Sequence, residues 1–519
     1  YLTGTAGPRR QVRKYHLTYA SEFHKSILSS VQVEGRCGGS EDDASVPQEN
    51  GNGALGPTSC DRLPPMTFGY CRTKGEVPKG TEESGQLAGY LPFDGRASTL
   101  VGSPNHSLDE DLSDFFDINS DGLPDVLVTA PGIYGNGHAV FFNADGGARG
   151  FGGATNMGVL GVLGADANTI KFSNLNLGVL DFDGDGRINL LHAPQVKKYS
   201  AYDPRFLTGN EEGAHGRMGW HWVGRVIETA SGQNQKIDFG KDTRDTQVLD
   251  VDFDGLVDVV VSTGTEYQTY FSLGRLPGGD GQFGDGESTG ATTSSLRNSP
   301  KTACVPHSAL PVRFGDADTK LGDMKGDGIT DIVRVRRGNV IYWPGRGNGT
   351  WGTGERDDCA AGTFGTNRHL SMTGAPFYSD VEGSTLRLSD VDGDGLDDLV
   401  QSNYDSVDIY LNVDGKGWTS RYILDGTPYH AGYHNRVRRA DVNGSGTLDV
   451  VWGDARAYKY VDLQGGQKPF LLTEVQNGLG KSTTLEYSTS TELMRVAEPQ
   501  AACGVGSDPW ATKWCSKMP

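Results

Sequence analysis

The chain has 519 residues, 75 of them Gly, with 36% hydrophobic residues and a formal net charge of −19. No run of about 18 apolar residues occurs, which argues against a transmembrane helix, and no basic stripe occurs, which argues against a nucleic-acid partner. Gly at roughly twice its usual ~7% share, spread along the whole length, means many tight turns and points to an all-β protein.

In chain order, residues 9–34 read as two strands, with Arg13, Tyr15, Leu17 and Tyr19 on one face of the first and Ile27, Ser29, Val31 and Val33 in the second. A Gly/Ser/Asp/Asn-rich loop runs from Gly35 to Ser59, and Leu63–Tyr70 is an extended segment. The stretch from Tyr70 to Leu112 is poorly patterned. Six repeats follow, each a nine-residue D-x-[D/N]-x-[D/S]-G-x-x-[D/N] motif that leads into a short apolar run such as Val126–Val128, Val259–Val261 or Val450–Val451. Several copies carry a second β-like run about ten residues on, for example Ala139–Phe142 and Val407–Leu411. After the last repeat, Phe470–Val475 and Thr483–Tyr487 read as a hairpin joined through Asn477–Gly480.

Motif starts lie 51 to 73 residues apart, which suits one four-stranded β-propeller blade and is too long for an ankyrin or leucine-rich repeat. The expected fold is therefore an all-β β-propeller of six blades, with a seventh left open. The Tyr70–Leu112 stretch is expected either to supply that blade or to close the ring with the C-terminal strand.

The motif has the chemistry of a calcium loop. Carboxylates at positions one, three and five converge when the backbone wraps tightly, Gly at six permits the turn, and a carbonyl at seven and a carboxylate at nine complete an oxygen shell suited to a hard cation. The expected ligands are Asp117, Asn119, Asp121, Leu123 and Asp125 in the first copy, and Asp181, Asp183, Asp185, Arg187 and Asn189 in the second. The third offers Asp250, Asp252, Asp254, Leu256 and Asp258, and the fourth Asp323, Asp327, Ile329 and Asp331. The fifth offers Asp390, Asp392, Asp394, Leu396 and Asp398, and the sixth Asp441, Asn443, Ser445, Thr447 and Asp449. Leu, Ile, Arg and Thr at position seven count only through their backbone carbonyls.

An EF-hand is excluded, because position twelve is never acidic and strands follow the loop. The copies are unequal. Those at Asp250 and Asp390 have the full carboxylate set and should bind Ca²⁺ best; Asn189 weakens the second, and Asn443 and Ser445 dilute the sixth. Lys325 stands where the fourth copy needs a ligand, so its ammonium either replaces the cation by pairing with Asp323 and Asp327 or points away. The ligand positions carry nineteen aspartates, as many as the net charge, so the acidity sits where cations would and does not advertise a basic partner. The competing account is that each loop is only a capped turn. In either case the corner is structural and performs no reaction.

Seven Cys fit no zinc spacing. Cys37, Cys60, Cys71, Cys304, Cys359, Cys503 and Cys515 are disulfide candidates, which implies an oxidising compartment and a secreted or cell-surface protein, with one thiol left over. The chain opens on Tyr1 and stops at Pro519 in mid-pattern, as expected of a piece of a longer protein. Enzyme readings are poor. His430 and His434 form a loop pair without a Glu between them, Gly345–Gly349 reads as a hairpin turn, and Trp220, Trp222, Trp343 and Trp351 read as core. No catalytic residue is expected.

The segments RKYHLTYASEFHKSILSSVQ, LPPMTFGY, FLLTEVQNGLGKSTTLEYSTST and PWATK, wrapped around FG-GAP/VCBS-type Asp loops, resemble the B components of tripartite ABC-type insecticidal toxin complexes and the related plasmid-virulence-B and Rhs proteins. That resemblance implies residues 1–72 as the end of a preceding β-domain, 73–468 as the propeller and 469–519 as the start of an Rhs/YD-type shell. It implies a propeller that docks a pore-forming toxin subunit, adjoins an Rhs/YD shell and gates the release of an enclosed toxic polypeptide. The alternative is a calcium-stabilised extracellular adhesin or carbohydrate-binding propeller with a glycan as its partner.

Overall fold

The computed structural model describes residues 13–20, 26–35, 60–71, 97–108, 111–143, 150–195, 198–210, 216–229, 245–262, 266–275, 281–283, 301–304, 312–353, 369–377, 385–429, 436–466 and 468–491. The elements are β-strands. The chain divides into two compact units, Tyr1–Pro92 with Gln467–Ser488, and Phe93–Gly466 with Thr489–Pro519.

The first unit holds one antiparallel five-stranded sheet, in the order Lys14–Ala20, Ile27–Glu34, Met66–Tyr70, Leu472–Gln476 and Ser482–Thr484. The two N-terminal strands, the extended segment and the C-terminal hairpin fall where the sequence places them, and the second hairpin strand is shorter than expected. The sheet joins segments about 400 residues apart in sequence: Phe68 pairs with Val475 and Thr67 with Gln476. Cys71 seals this join. It is a buried free thiol that donates to the Lys468 carbonyl at 3.0 Å and accepts from Leu471 N at 3.3 Å, which corrects its expected place in a disulfide. Cys60 is disulfide-bonded, while Cys37, Cys359, Cys503 and Cys515 lie outside the described residues.

The second unit is the β-propeller. Among the described residues six four-stranded antiparallel arrays recur, and in each the Asp motif connects the first strand to the second. The first blade is Ser113–Phe116, Asp125–Val128, His138–Phe141 and Thr155–Leu160, and the second is Leu177–Leu180, Asn189–Gln195, Lys198–Thr208 and Met218–Thr229. These two are fused through parallel pairing of their outer strands, at His221 with Gly158 and Val223 with Leu160. The third is Thr246–Leu249, Asp258–Ser262, Glu266–Tyr270 and Lys301–Cys304; the fourth is Thr319–Gly322, Asp331–Arg336, Asn339–Trp343 and Leu370–Met372. The fifth is Leu386–Ser389, Asp398–Ser402, Ser406–Tyr410 and Tyr422–Asp425. The sixth takes Val437–Ala440, Asp449–Asp454 and Ala457–Asp462 from the end of the chain and Ala97–Thr99 from its beginning. The stretch before Leu112 therefore supplies a ring-closing strand.

Second strands such as Asp125–Val128 and Asp398–Ser402 are buried at every residue, because each is covered on both faces by neighbouring sheets. That is why they read as continuous apolar runs without alternation. Each core is shared between consecutive blades. Val126, Tyr458 and Tyr460 join the first blade to the sixth; Leu127, Leu190 and Trp222 join the first to the second. Val259 and Tyr199, then Val260 and Trp343, then Val333 and Leu399, carry the packing through the third, fourth and fifth. Gln464 Nε2 donates to the Val391 carbonyl between the sixth and fifth. Trp222 and Trp343 are fully buried and Trp351 nearly so, as expected of core aromatics. Thr491 lies against Gly122 and Gly444, at the first and sixth corners.

Candidate metal centres

The six Asp motifs share one set of backbone brackets. The position-one carboxylate accepts a hydrogen bond from the position-six glycine N–H in every copy. It runs from Gly122 to Asp117 and from Gly186 to Asp181 at 2.9 Å, and from Gly255 to Asp250 at 3.0 Å. The remaining three run from Gly328 to Asp323 at 2.6 Å, Gly395 to Asp390 at 2.8 Å and Gly446 to Asp441 at 2.7 Å. These glycines have φ between 78° and 88°, in the left-handed region that side chains resist, which explains the fixed Gly.

Position seven donates its N–H to position five throughout: Leu123 to Asp121, Arg187 to Asp185, Leu256 to Asp254, Ile329 to Asp327, Leu396 to Asp394 and Thr447 to the Ser445 hydroxyl. The carboxylates at one and five are thus oriented before any ligand arrives.

Position nine has a second task that the motif alone does not reveal. It accepts the N–H of position two in every copy: Ile118 to Asp125, Phe182 to Asn189, Val251 to Asp258, Met324 to Asp331, Val391 to Asp398 and Val442 to Asp449, between 2.7 and 3.1 Å. In four copies the other oxygen accepts an N–H just past the third strand, from Asn143, Ser272, Gly345 or Asn412. One buried side chain therefore ties the loop to two strands of its own blade. In the sixth copy Asp449 Oδ1 is buried without a hydrogen-bond partner.

Among the described residues, three groups of acids bring ligand atoms within 4.8 Å of one another: Asp181, Asp183 and Asp185; Asp250, Asp252 and Asp254; and Asp390, Asp392 and Asp398. The copies at Asp250 and Asp390 are those with the fullest carboxylate sets. Burial, reinforced by neighbouring carboxylates, pushes Asp258 up to about 8, Asp449 to about 9 and Asp331 to about 7, and raises Asp125 and Asp398 well above the carboxylate range. Crowded, partly desolvated carboxylates of this kind are costly to ionise together, and a divalent cation relieves that cost. Oxygen-only donors, the unmatched Asp449 oxygen and pre-oriented carboxylates fit a hard cation such as Ca²⁺.

The fourth copy is different. Lys325 Nζ lies 2.5 Å from Asp327 Oδ2, so the ammonium folds into the loop and pairs with position five. Its Asp323 N–H is held instead by Asp397 Oδ2 of the fifth copy, at 2.8 Å.

Three participants escape the motif. Asp462, from the third strand of the sixth blade, pairs in register with Asp449 and accepts from Asn443 and Thr447, restoring a carboxylate to a corner that looked diluted. Asp203 and Arg225 do the equivalent in the second blade, where Arg225 Nη2 lies 3.0 Å from Asp183 and 3.3 Å from Asp203. All three lie on later strands, where strand pairing alone brings them to the loop.

Arg346 N donates to Thr350 O and Gly345 bridges to Trp351, so Gly345–Gly349 is a tight turn. His430 and His434 lie outside the described residues. No described helix is long and apolar enough to cross a membrane.

Compared with known proteins, residues 419–509 match the family model described as the insecticide toxin TcdB middle/N-terminal region. No curated protein matches the chain in sequence. A chain of the Photorhabdus luminescens Tc holotoxin pore, solved with a mutated TccC3, matches with a TM-score of 0.58 and 19% identity, covering 96% of this chain and 19% of that one. A TcdB2–TccC3 crystal structure matches with a TM-score of 0.46 and 17% identity, over 95% and 19% of the two chains. The chain spans about a fifth of the length of these solved chains, 19% in each case. The resemblance to toxin-complex B components, read from the flanking segments, is borne out.

Proposed function

We propose that this chain is the propeller-bearing part of a toxin-complex B-like component, a secreted, non-catalytic module that docks a pore-forming subunit and gates the exit of an enclosed polypeptide. The observation that carries this reading is the TcdB-type family match at 419–509, which spans the end of the propeller and the strands that leave it. The shared fold over 96% of the chain supports it. The work of such a module is done by shape. Rigid corners hold loops in place for a partner, and gating requires a two-state rearrangement of those loops or blades. In this reading Ca²⁺ occupies at least the Asp250 and Asp390 corners and stiffens the blade edges there.

The test is co-purification of the 519-residue chain with a cognate pore-forming subunit, followed by electron microscopy of the complex. Association through the propeller is the expected result. Failure to associate at micromolar concentrations would overturn the docking role, and strong calcium-dependent binding on a glycan array would favour a carbohydrate-binding propeller instead.

A further inference from the structure

The second corner presents three converging aspartates, Asp181, Asp183 and Asp185, and so resembles the third and fifth as a cation group. Its surroundings differ from theirs. Arg225, on the fourth strand of the same blade, reaches back with Nη2 at 3.0 Å from Asp183 Oδ2 and 3.3 Å from Asp203 Oδ1. Its side chain is only 12% exposed, Asp183 is 4% exposed, and the guanidinium carbon stands 5.5 Å from the centre of the buried Phe182 ring, within cation–π range.

The sequence changes here interlock. Where four copies place an aspartate at position nine to accept an N–H beyond the third strand, the second places Asn189. The Asn189 amide still accepts from Phe182 N, but its Nδ2 now donates to Asp203 at 2.9 Å. The carboxylate that position nine gave up reappears on the third strand as Asp203, where it meets Arg225 and, at 3.1 Å, Arg205. The buried carboxylates Asp183 and Asp203 are matched by two guanidinium charges, Arg225 between them and Arg205 on Asp203, without any external ion. A cation at this corner would sit beside the Arg225 charge and compete with it for Asp183.

We propose that Arg225 is the resident cation of the Asp181 corner, so that this corner is closed by protein charge and takes no calcium, unlike the Asp250 and Asp390 corners. With Lys325 serving the Asp323 corner, two of the six corners are then metal-independent by different devices, one a guanidinium from a distant strand and one an ammonium from within the loop. The inference rests on the proposed calcium role of the other corners, but its test separates the two.

Calcium chloride binding to the 519-residue chain is measured by equilibrium dialysis for the wild type, Arg225→Met and Asp183→Asn, with melting temperatures recorded in EDTA and in calcium. Arg225→Met should bind one more equivalent than the wild type and recover in calcium much of the stability it loses in EDTA. Asp183→Asn should leave the stoichiometry unchanged while lowering the melting temperature equally in both conditions. Loss of one equivalent in Asp183→Asn, or no gain in Arg225→Met, overturns the proposal. If Arg225→Met does not fold, the Asp183→Asn stoichiometry decides alone. A wild type that binds no calcium refutes the metal role of the other corners, and a new equivalent in Arg225→Met would still establish the Arg225 assignment.

Discussion

The fourth and fifth corners are adjacent, bonded to one another, and built on the same backbone plan, yet they differ in the charge they carry. Both use position six to clamp position one, and both use a buried aspartate, Asp331 or Asp398, to hold one N–H of the loop and one beyond the third strand. At position three the fifth has Asp392 and the fourth has Lys325, which pairs with Asp327. Positions one, six and nine therefore shape the corner in both copies, and position three, Lys325 or Asp392, is where their charge differs. The motif is first a folding device and only secondarily a ligand set.

If that division holds, the largest effect comes from position nine. Asp398→Ala and Asp331→Ala should each strand two buried N–H groups and cost about 4 kcal/mol, at roughly 1–3 kcal/mol per unsatisfied group. Denaturant midpoints in EDTA should fall alike for both. A harmless Asp331→Ala beside a damaging Asp398→Ala would break the comparison.

A region with no such corner gives the contrast in pH. His138, between the first and second blades, accepts the Trp222 indole N–H at Nδ1 and faces the Ala167 carbonyl at Nε2, so its neutral tautomer is fully matched. Burial lowers its pKa from 6.5 to about 4. Between those values the unfolded chain binds the extra proton, so this contribution to stability is complete above pH 6.5 and is lost as pH falls towards 4, by about 3 kcal/mol at most. His138→Gln, measured by thermal melts across pH 4 to 7, should lower stability at neutral pH and flatten this dependence. An unchanged slope would place the titration elsewhere.

Calcium itself should act next in size. At a hundredfold excess over the dissociation constant, one site adds about 2.7 kcal/mol, so EDTA should lower the melting temperature. Asp392→Asn should remove part of that response, while Lys325→Gln should not diminish it. The smallest effect belongs to Lys325 in EDTA. Its pair with Asp327 is partly exposed, and Lys325→Gln should cost under about 1 kcal/mol. A larger loss would mean that the ammonium is structurally as important as the brackets.

Much of this was legible in the sequence, because the repeat is long, regular and punctuated by glycine. The motif spacing identified the blades, and the apolar runs after each loop identified the second strands. Fully buried runs and Gly-bounded turns come from strand geometry that is local in sequence. What could not be read depends on contacts across strands. Ala97–Thr99 has no motif of its own and becomes a strand only by pairing with Ala457–Asp462. Asp462, Asp203 and Arg225 look like ordinary charged strand residues until the sheet register brings them to a corner. That Asn189 also donates to Asp203 is visible only once the third strand is paired beside it.

The most direct measurement is anomalous diffraction from crystals of the chain grown in calcium. Peaks about 2.4 Å from carboxylate oxygens of Asp250, Asp252 and Asp254, and of Asp390 and Asp392, with none at the Asp323 corner, are the predicted result. Empty Asp250 and Asp390 corners, or a peak of equal height at Asp323, would contradict the division between backbone brackets and cation positions.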